Sequence, residues 1–423
     1  MPDTLDAWLA HLEAQHPRGA AGIELGLERV AAVKAALGQS QSAPLIVVGG
    51  TNGKGSCCTM LERILRAAGY RVGLYTSPHL LRYNERVRLC GAAVGDDALC
   101  RGLARVDAAR RSLLLTYFEF GTLAAWEVFA ATPLDAIILE VGLGGRLDAV
   151  NAYDADCAIV TTVDIDHTDY LGRDREAIGG EKAGIFRPGR PAICGDARPP
   201  QTVVDHAKSI SADLQVIGRD FGYERQDGQW LFRGRRGRRG GIAYPALRGA
   251  GQLANASCAL AALDALHDRL PVAMQDIRRG LLEVELPGRF QVLPGRPAVV
   301  LDVAHNPQAA RELADNLGGM AFHPVTWAVV GMMRDKDMAG VIAALRGRID
   351  RWLPCSLPGA RAASTVELGA GLAAAGVAAE RCFASPGAAF AYAQARAGED
   401  DRIVIFGSFL TVADVMQILG RPA

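Results

Sequence analysis

Unbroken apolar runs, rather than alternating ones, set the pattern of this chain. Leu45–Val48, Val72–Tyr75, Ala136–Val141, Ala158–Val163 and Ala192–Cys194 each predict a strand buried on both faces, as strands of a parallel sheet are. Helical periodicity lies between them, near Leu27–Leu37, Ala98–Arg111 and Thr122–Ala130. A further helix follows the first strand: Leu61, Ile64, Leu65 and Ala68 form its apolar face, Glu62 and Arg66 an i,i+4 pair, and Gly69 its stop. Residues 1–43 read as helical, with an interruption at Pro17-Arg-Gly-Ala-Ala-Gly22. After a polar, turn-rich stretch from Asp220 to Gly241, helices are expected over about Asn255–Leu266 and Val272–Val284.

Pro287-Gly-Arg289 and Pro294-Gly-Arg-Pro297 bracket a segment dense in proline and glycine, where a domain boundary is expected. Beyond them the alternation restarts, with strands expected at Val299–Val303, Thr326–Val330, around Trp352 and at Ile403–Phe406. The expected fold is α/β throughout: a doubly wound sheet domain carrying a phosphate loop over residues 1–288, then a smaller Rossmann-like α/β domain over residues 297–423.

Composition narrows the function classes. The chain has 423 residues, half of them hydrophobic, and its 46 lysines plus arginines balance its 46 aspartates plus glutamates. No global field therefore recruits nucleic acid or an acidic membrane. The run Arg233-Gly-Arg-Arg-Gly-Arg-Arg239 reads as an exposed hairpin tip rather than a nucleic-acid patch, because it is short and sits in a neutral chain. Asp3, Asp6 and Glu13 make the N-terminus an amphipathic helix without the basic flank of a signal peptide, and no apolar stretch reaches membrane-span length. Nine cysteines with no C-x-x-C pair point to reduced thiols in the cytoplasm. Cys57 and Cys58 are expected as small helix residues.

The first strand runs into Gly49-Gly-Thr-Asn-Gly-Lys-Gly-Ser56. Such glycines let backbone N–H groups approach a polyphosphate, Lys54 adds a point charge, and the following helix presents its positive end. Lys54 is followed by Gly55 rather than directly by Ser or Thr, so a tight strand-to-helix turn is the competing reading. Glu140 ends a neighbouring buried run, where a carboxylate that binds magnesium belongs; a structural cap of the turn is the alternative. The glycines of Val141-Gly-Leu-Gly-Gly-Arg-Leu-Asp148 allow close approach to a ligand that Arg146 and Asp148 would orient. Ser77 and His167 also lie at strand ends. A hydroxyl suits magnesium better than an imidazole does, and His167 beside Asp166 and Asp169 equally suits proton transfer. Farther on, Asp302, His305 and Asn306 form a polar cluster at another strand's carboxyl end, the usual ligand position in open α/β sheets. Two such ends suggest a cleft in which two substrates are joined.

These segments together resemble the folylpolyglutamate synthase and dihydrofolate synthase family, relatives of the Mur ligases. The matching stretches are Gly50–Ser56, Thr76–Leu80, Thr116–Gly121, Leu139–Asp148, Asp166–Thr168, Glu181–Ile185, Leu286–Arg289, Asp302–Pro307 and Gly407–Ser408, in that order. The resemblance implies an ATP-dependent, magnesium-dependent amide ligase that activates a carboxylate as an acyl phosphate for attack by the amine of L-glutamate. It implies ATP contacts from Gly50, Thr51, Asn52, Gly53, Lys54, Gly55, Ser56, Asn255, Arg289 and Asp302. Ser77, Glu140 and His167 match the metal ligands. Lys182 matches a carbamylated lysine, and Lys54, Asp302 and His305 match residues linked to activity. Contacts to dihydropteroate are implied for Glu24, Leu25, Gly26, Leu27, Thr116, Tyr117, Phe118, Glu119, Leu147, Asp148 and Ala149. Presence of the Glu24 and Thr116 segments favours a bifunctional enzyme acting on dihydropteroate and reduced folates over a polyglutamate-only one; a monomer with no nucleic-acid or membrane partner is expected. Val150, where threonine is usual, and Gly180, before Glu181, are small departures.

Overall fold

The computed structural model describes residues 2–15 and 22–420. The expected interruption at Pro17–Gly22 therefore lies outside the described residues, Gly22 excepted. The chain divides into two compact units: unit 1 is Met1–Pro78, Tyr83–Pro245 and Leu253–Val284, and unit 2 is His79–Arg82, Ala246–Gln252 and Glu285–Ala423.

Unit 1 holds an eight-stranded sheet of β1 (Leu45–Gly49), β2 (Val72–Tyr75), β3 (Val87–Leu89), β4 (Ala92–Ala93), β5 (Ala136–Glu140), β6 (Cys157–Val160), β7 (Pro191–Cys194) and β8 (Asp213–Val216). The spatial order is β4-β3-β2-β5-β1-β6-β7-β8. The strands from β2 to β8 run parallel, and β3 and β4 add an antiparallel edge. β1 and β5 lie at the centre with every residue buried, as unbroken apolar runs require. Around the sheet lie α1 (Leu5–Gln15), α2 (Glu28–Leu37), α3 (Lys54–Ala67), α4 (Asp96–Arg110), α5 (Tyr117–Ala130), α6 (Thr168–Leu171), α7 (Arg175–Ala183), α8 (Gln201–Ser209), α9 (Gln252–Ala265) and α10 (Met274–Leu282).

Three expectations change on inspection of unit 1. α3 is buried on nearly all sides, because a glycine of α10 lets that helix close on it: a Cβ at Gly280 would stand 2.6 Å from the Ile64 backbone. Glu62 is consequently buried, and its charge faces Arg88 at 3.0 Å instead of forming a surface pair with Arg66. The strand expected over Ala158–Val163 stops at Val160, and Thr161 to Val163 turn toward the phosphate loop. The arginine run does sit at a hairpin tip, between β10 (Gln229–Gly234) and β11 (Gly237–Ala243), in a small sheet with β9 (Gly222–Gln226). Yet Arg239 points inward to the buried Asp264, and Trp230 and Phe232 are core residues.

Unit 2 has a five-stranded sheet of β12 (Gln291–Leu293), β13 (Ala298–Leu301), β14 (Thr326–Val330), β15 (Arg351–Pro354) and β16 (Arg402–Phe406), in the order β12-β13-β16-β14-β15. Only the edge strand β12 is antiparallel. Alternate residues enter two separate cores: Val300, Ala328, Val330, Val404 and Phe406 in one, Leu301, Val329, Ile403 and Ile405 in the other. That alternation is the two-faced signature of a covered parallel sheet. The covering helices are α11 (Pro307–Gly318), α12 (Met338–Leu345), α13 (Thr365–Ala374), α14 (Pro386–Gln394) and α15 (Phe409–Ile418). All nine cysteines are free thiols, of which only Cys90 and Cys382 are exposed. Among the described residues, no helix is long and apolar enough to cross a membrane.

Candidate active site

At the carboxyl end of β1 the chain enters a conformation that few side chains tolerate. Gly50 has φ +141° and Gly53 +86°, and a Cβ on either would collide with a neighbour, 1.9 Å from Thr161 Oγ1 and 2.3 Å from Asn255 Oδ1 respectively. Glycine here permits both the turn and a close backbone approach, the cradle that a phosphate needs. The loop is clamped from the β6 side. Thr51 N donates to Thr162 O at 2.8 Å, Asn52 N to Thr162 Oγ1 at 3.1 Å, and Thr161 Oγ1 to Asn52 O at 2.6 Å. Lys54 opens α3 and donates to the carbonyls of Gly50 and Thr51 at 3.0 and 3.2 Å, which holds its cation over the loop. Gly55 and Ser56 are buried in the helix's first turn, and Asn255 of α9 packs on Gly53. Burial keeps the Cys57 and Cys58 thiols protonated by raising their pKa, so neither is a nucleophile.

Glu140 ends β5 as the register partner of Val48, the residue before Gly49. Its Oε2 accepts from Ser77 N at 3.1 Å, so two of the expected metal ligands meet. His167 lies in the loop after β6, in the left-handed region at φ +52°, with its N–H donated to Asp166 Oδ1 and its Nε2 4.0 Å from the other oxygen. Among the described residues no three His, Cys, Asp or Glu side chains gather as a metal cage. A hydroxyl with a single carboxylate suits an ion such as magnesium, which keeps its waters and binds through few protein oxygens. Lys182 on α7 is buried; that burial, reinforced by the charge of Lys54, lowers its pKa to about 7. An amine with that pKa is partly neutral near pH 7, the form that adds carbon dioxide.

The segments of unit 1 expected to contact dihydropteroate make the following contacts. Gly26 N donates to Leu147 O at 3.3 Å, joining the Glu24–Leu27 stretch to the Leu147–Ala149 turn. Thr116 and Glu119 form the capping box of α5, with Glu119 Oε2 accepting from Thr116 N at 2.7 Å. Tyr117 meets Tyr83 edge-on at 5.9 Å, and Phe118 stands against Gly142, where a Cβ would be 2.5 Å from its ring. Asp148 is consumed locally: its carboxylate accepts from Leu143 N at 2.8 Å and Val150 N at 3.0 Å, shaping the glycine-rich turn. Burial still raises its pKa to about 7. Arg146, expected to orient a ligand, is paired with Glu181 at 2.7 Å, with its own side chain exposed.

In unit 2, Asp302 follows β13 and is half-buried. It accepts from Phe290 N at 2.9 Å and Ala304 N at 2.7 Å, and burial raises its pKa to about 6 against the charge of Arg289. Arg289 lies over the Phe409 ring at 5.4 Å, and His305 Nδ1 is 2.8 Å from Val303 O. Asn306 caps α11 by accepting from Ala309 N. Sequence reasoning missed Glu312 on α11, whose pKa is raised to about 7 by burial and by Asp302. It also missed the threonine clamp and Arg29; only the Thr161–Thr162 pair after an apolar run was a visible signal.

The family model described as the Mur ligase middle domain matches residues 48–263, and that of the Mur ligase, glutamate ligase domain matches residues 288–409. The dihydrofolate synthase/folylpolyglutamate synthase of Escherichia coli (strain K12) is 44% identical, over 98% of this chain and 95% of that protein. The chain belongs to the dihydrofolate synthase/folylpolyglutamate synthase family. Solved structures of this family superpose closely. E. coli FolC in complex with DHPP and ADP has a TM-score of 0.93 at 44% identity, covering 99% of each chain. The bifunctional enzyme of Yersinia pestis c092, complexed with AMPPNP and a Mn ion, has a TM-score of 0.92 at 44% identity and full coverage of both chains, 100% each.

Proposed function

We propose that this chain is an ATP-dependent carboxylate–amine ligase that adds L-glutamate to dihydropteroate, giving dihydrofolate, and to reduced folates, giving folylpolyglutamates. The carrying observation is the strained glycine cradle with Lys54 at the start of α3 and Glu140 on the adjacent central strand. That pairing of a phosphate loop with a metal-binding carboxylate serves phosphoryl transfer. Family membership narrows the acceptor to a pterin-linked carboxylate and the amine to glutamate.

In this reading Gly50 to Ser56, Asn255, Arg289 and Asp302 contact ATP, and Ser77, Glu140 and His167 would hold magnesium. When bound, the ion supplies positive charge to the phosphoryl oxygens. Lys54 adds a second cation held in place by two backbone carbonyls. The α3 N-terminus directs its N–H groups at the same charge. Joining a carboxylate to an amine in water is uphill; turning the carboxylate into an acyl phosphate creates a good leaving group for attack by glutamate nitrogen. No covalent enzyme intermediate is needed, in keeping with the protonated, buried thiols beside the loop. Lys182, carbamylated, becomes an anion that supports the metal side of the site; unmodified and protonated it would repel the ion.

Glu24 to Leu27, Thr116 to Glu119 and Leu147 to Ala149 hold dihydropteroate, with Tyr117 and Phe118 offering flat faces to the pterin. Residues 1–288 carry the ATP loop and the pterin segments, and residues 297–423 serve the glutamate side through His305, with Asp302 as a further ATP contact. The enzyme works as a monomer on small molecules in the cytoplasm, without nucleic-acid or membrane partners; its balanced charge supports this. The test supplies ATP, magnesium and glutamate with either dihydropteroate or a reduced folate, and follows ADP release and product mass. Glutamate-dependent ADP with a product heavier by one glutamyl residue is expected. Its absence with both pterins sinks the reading.

A further inference from the structure

One basic residue outside every motif ties two of the substrate segments to each other. Arg29, in the first turn of α2, donates from Nη1 to Glu24 Oε1 at 2.8 Å and from Nη2 to the Glu24 carbonyl at 2.8 Å. The same guanidinium reaches Glu119, from Nη2 at 2.9 Å and from Nε at 3.2 Å. Glu119 is no free surface acid: its side chain is only 4% exposed, and its second oxygen already accepts from Thr116 N. Arg29 and Glu119 are separated by 90 positions in the chain. The guanidinium therefore joins the stretch that begins at Glu24 to the capping box that opens α5. Both of its edges are used, in directions set by one rigid plane, and a lysine ammonium cannot reproduce such a fork.

We infer that Arg29 is a positioning residue for the pterin substrate, acting by holding the Glu24–Leu27 and Thr116–Glu119 segments at a fixed spacing. The inference rests on the proposed function, in which those segments hold dihydropteroate. ATP is assigned to other residues, of the Gly50–Ser56 loop, Asn255, Arg289 and Asp302, so loss of the fork has a selective consequence. The pterin pocket loosens while the nucleotide cradle, clamped by Thr161 and Thr162, keeps its shape.

Two variants separate positioning from charge balance. Arg29→Lys keeps the cation and removes the fork. The double variant Arg29→Met with Glu119→Gln removes the fork without stranding a buried carboxylate, and glutamine still completes a capping box. Both are compared with the unaltered chain by steady-state kinetics, varying dihydropteroate, ATP and glutamate in turn. The dihydropteroate KM should rise about tenfold in both variants, equivalent to ~1.4 kcal/mol, with the ATP KM unchanged. An unchanged dihydropteroate KM in Arg29→Lys overturns the inference. So does a KM restored in the double variant, which would make Arg29 a mere counter-ion for Glu119, and so does an equal rise for ATP, which would mean general loosening. If the unaltered chain itself releases no glutamate-dependent ADP on dihydropteroate, the proposed function fails and this inference with it; a failure confined to the variants leaves the proposed function standing.

Discussion

The carboxyl ends of β1 and β13 both finish a buried apolar strand in polar residues, yet they spend their polar groups differently. After β1, shape comes from backbone: Gly50 and Gly53 adopt positive φ, and threonines just beyond the end of β6 hold the loop. After β13, shape comes from a side chain, because Asp302 accepts two backbone N–H groups and so folds the turn that carries Ala304 and His305. In the glycine loop Thr162 takes the N–H groups of Thr51 and Asn52, so an anion is left the N-terminal end of α3, whereas at the second end the carboxylate of Asp302 itself takes the N–H groups of Phe290 and Ala304. The first end therefore has a shape and a helix terminus that suit an anion, and at the second a carboxylate fixes the turn around it. The electrostatics differ in the same sense: burial lowers the pKa of Lys182 in unit 1 and raises that of Asp302 in unit 2.

The strongest way to break this comparison is at the metal side of the first end. Glu140→Ala should reduce turnover by a factor of about 100 or more, the scale of losing one preorganised charge-stabilising group; an ADP-release assay with near-normal turnover would show the metal held elsewhere. Next comes the backbone itself. Gly53→Ala places a methyl against Asn255 in a left-handed conformation, so it should cost about 1–3 kcal/mol of strain, read as a lower midpoint of thermal unfolding together with weaker ATP binding. A variant as stable as the parent would mean that the loop is not the strained element described.

Opposite pH slopes sharpen the contrast. With the Lys182 pKa lowered from 10.5 to about 7, the unfolded chain holds that proton more tightly across this window, so stability climbs as pH rises through it. With the Asp302 pKa raised from 3.8 to about 6, the folded chain holds the proton more tightly, so stability falls as pH rises through that lower window. Denaturant titrations in buffer free of carbon dioxide should show Lys182→Met flattening the first slope, by up to about 5 kcal/mol across its whole window, and Asp302→Asn the second, by up to about 3 kcal/mol. Slopes that persist in the variants would assign them to other groups. The smallest effect is expected at the arginine hairpin, a region belonging to neither end. Arg233 and Arg238 are directly opposed across β10 and β11. Replacing both with alanine relieves a like-charge pair, so stability should change by roughly 0.5 kcal/mol or less and rise if it moves, with ligase turnover intact; a loss of turnover would give the hairpin a part in catalysis.

Much of the fold was legible because fully buried parallel strands need apolar residues on both faces, and β1, β2, β5, β7, β14 and β16 show such runs. β3, β4 and β12 were not, since these strands are short, partly exposed and paired antiparallel at a sheet edge. In the site, groups that act through backbone or through one motif could be read: the Gly50–Ser56 loop, Glu140, Asp302. Arg29 and the threonine clamp could not, because their partners lie about a hundred positions away, as with Asn52 and Thr162 at a separation of 110. The Glu62–Arg66 pair failed for a related reason. Periodicity places both on one helix face, but only the approach of α10 through Gly280 decides that Glu62 lies inside.

The distribution of thiols has a practical outcome. Unit 1 exposes Cys90 and unit 2 exposes Cys382, while six of the other seven cysteines are buried and Cys100 is only partly accessible. The unaltered chain thus carries one ready attachment point for a dye in each unit. A donor–acceptor pair coupled there reports the separation of the two units in solution, with and without nucleotide, and needs no engineered cysteine.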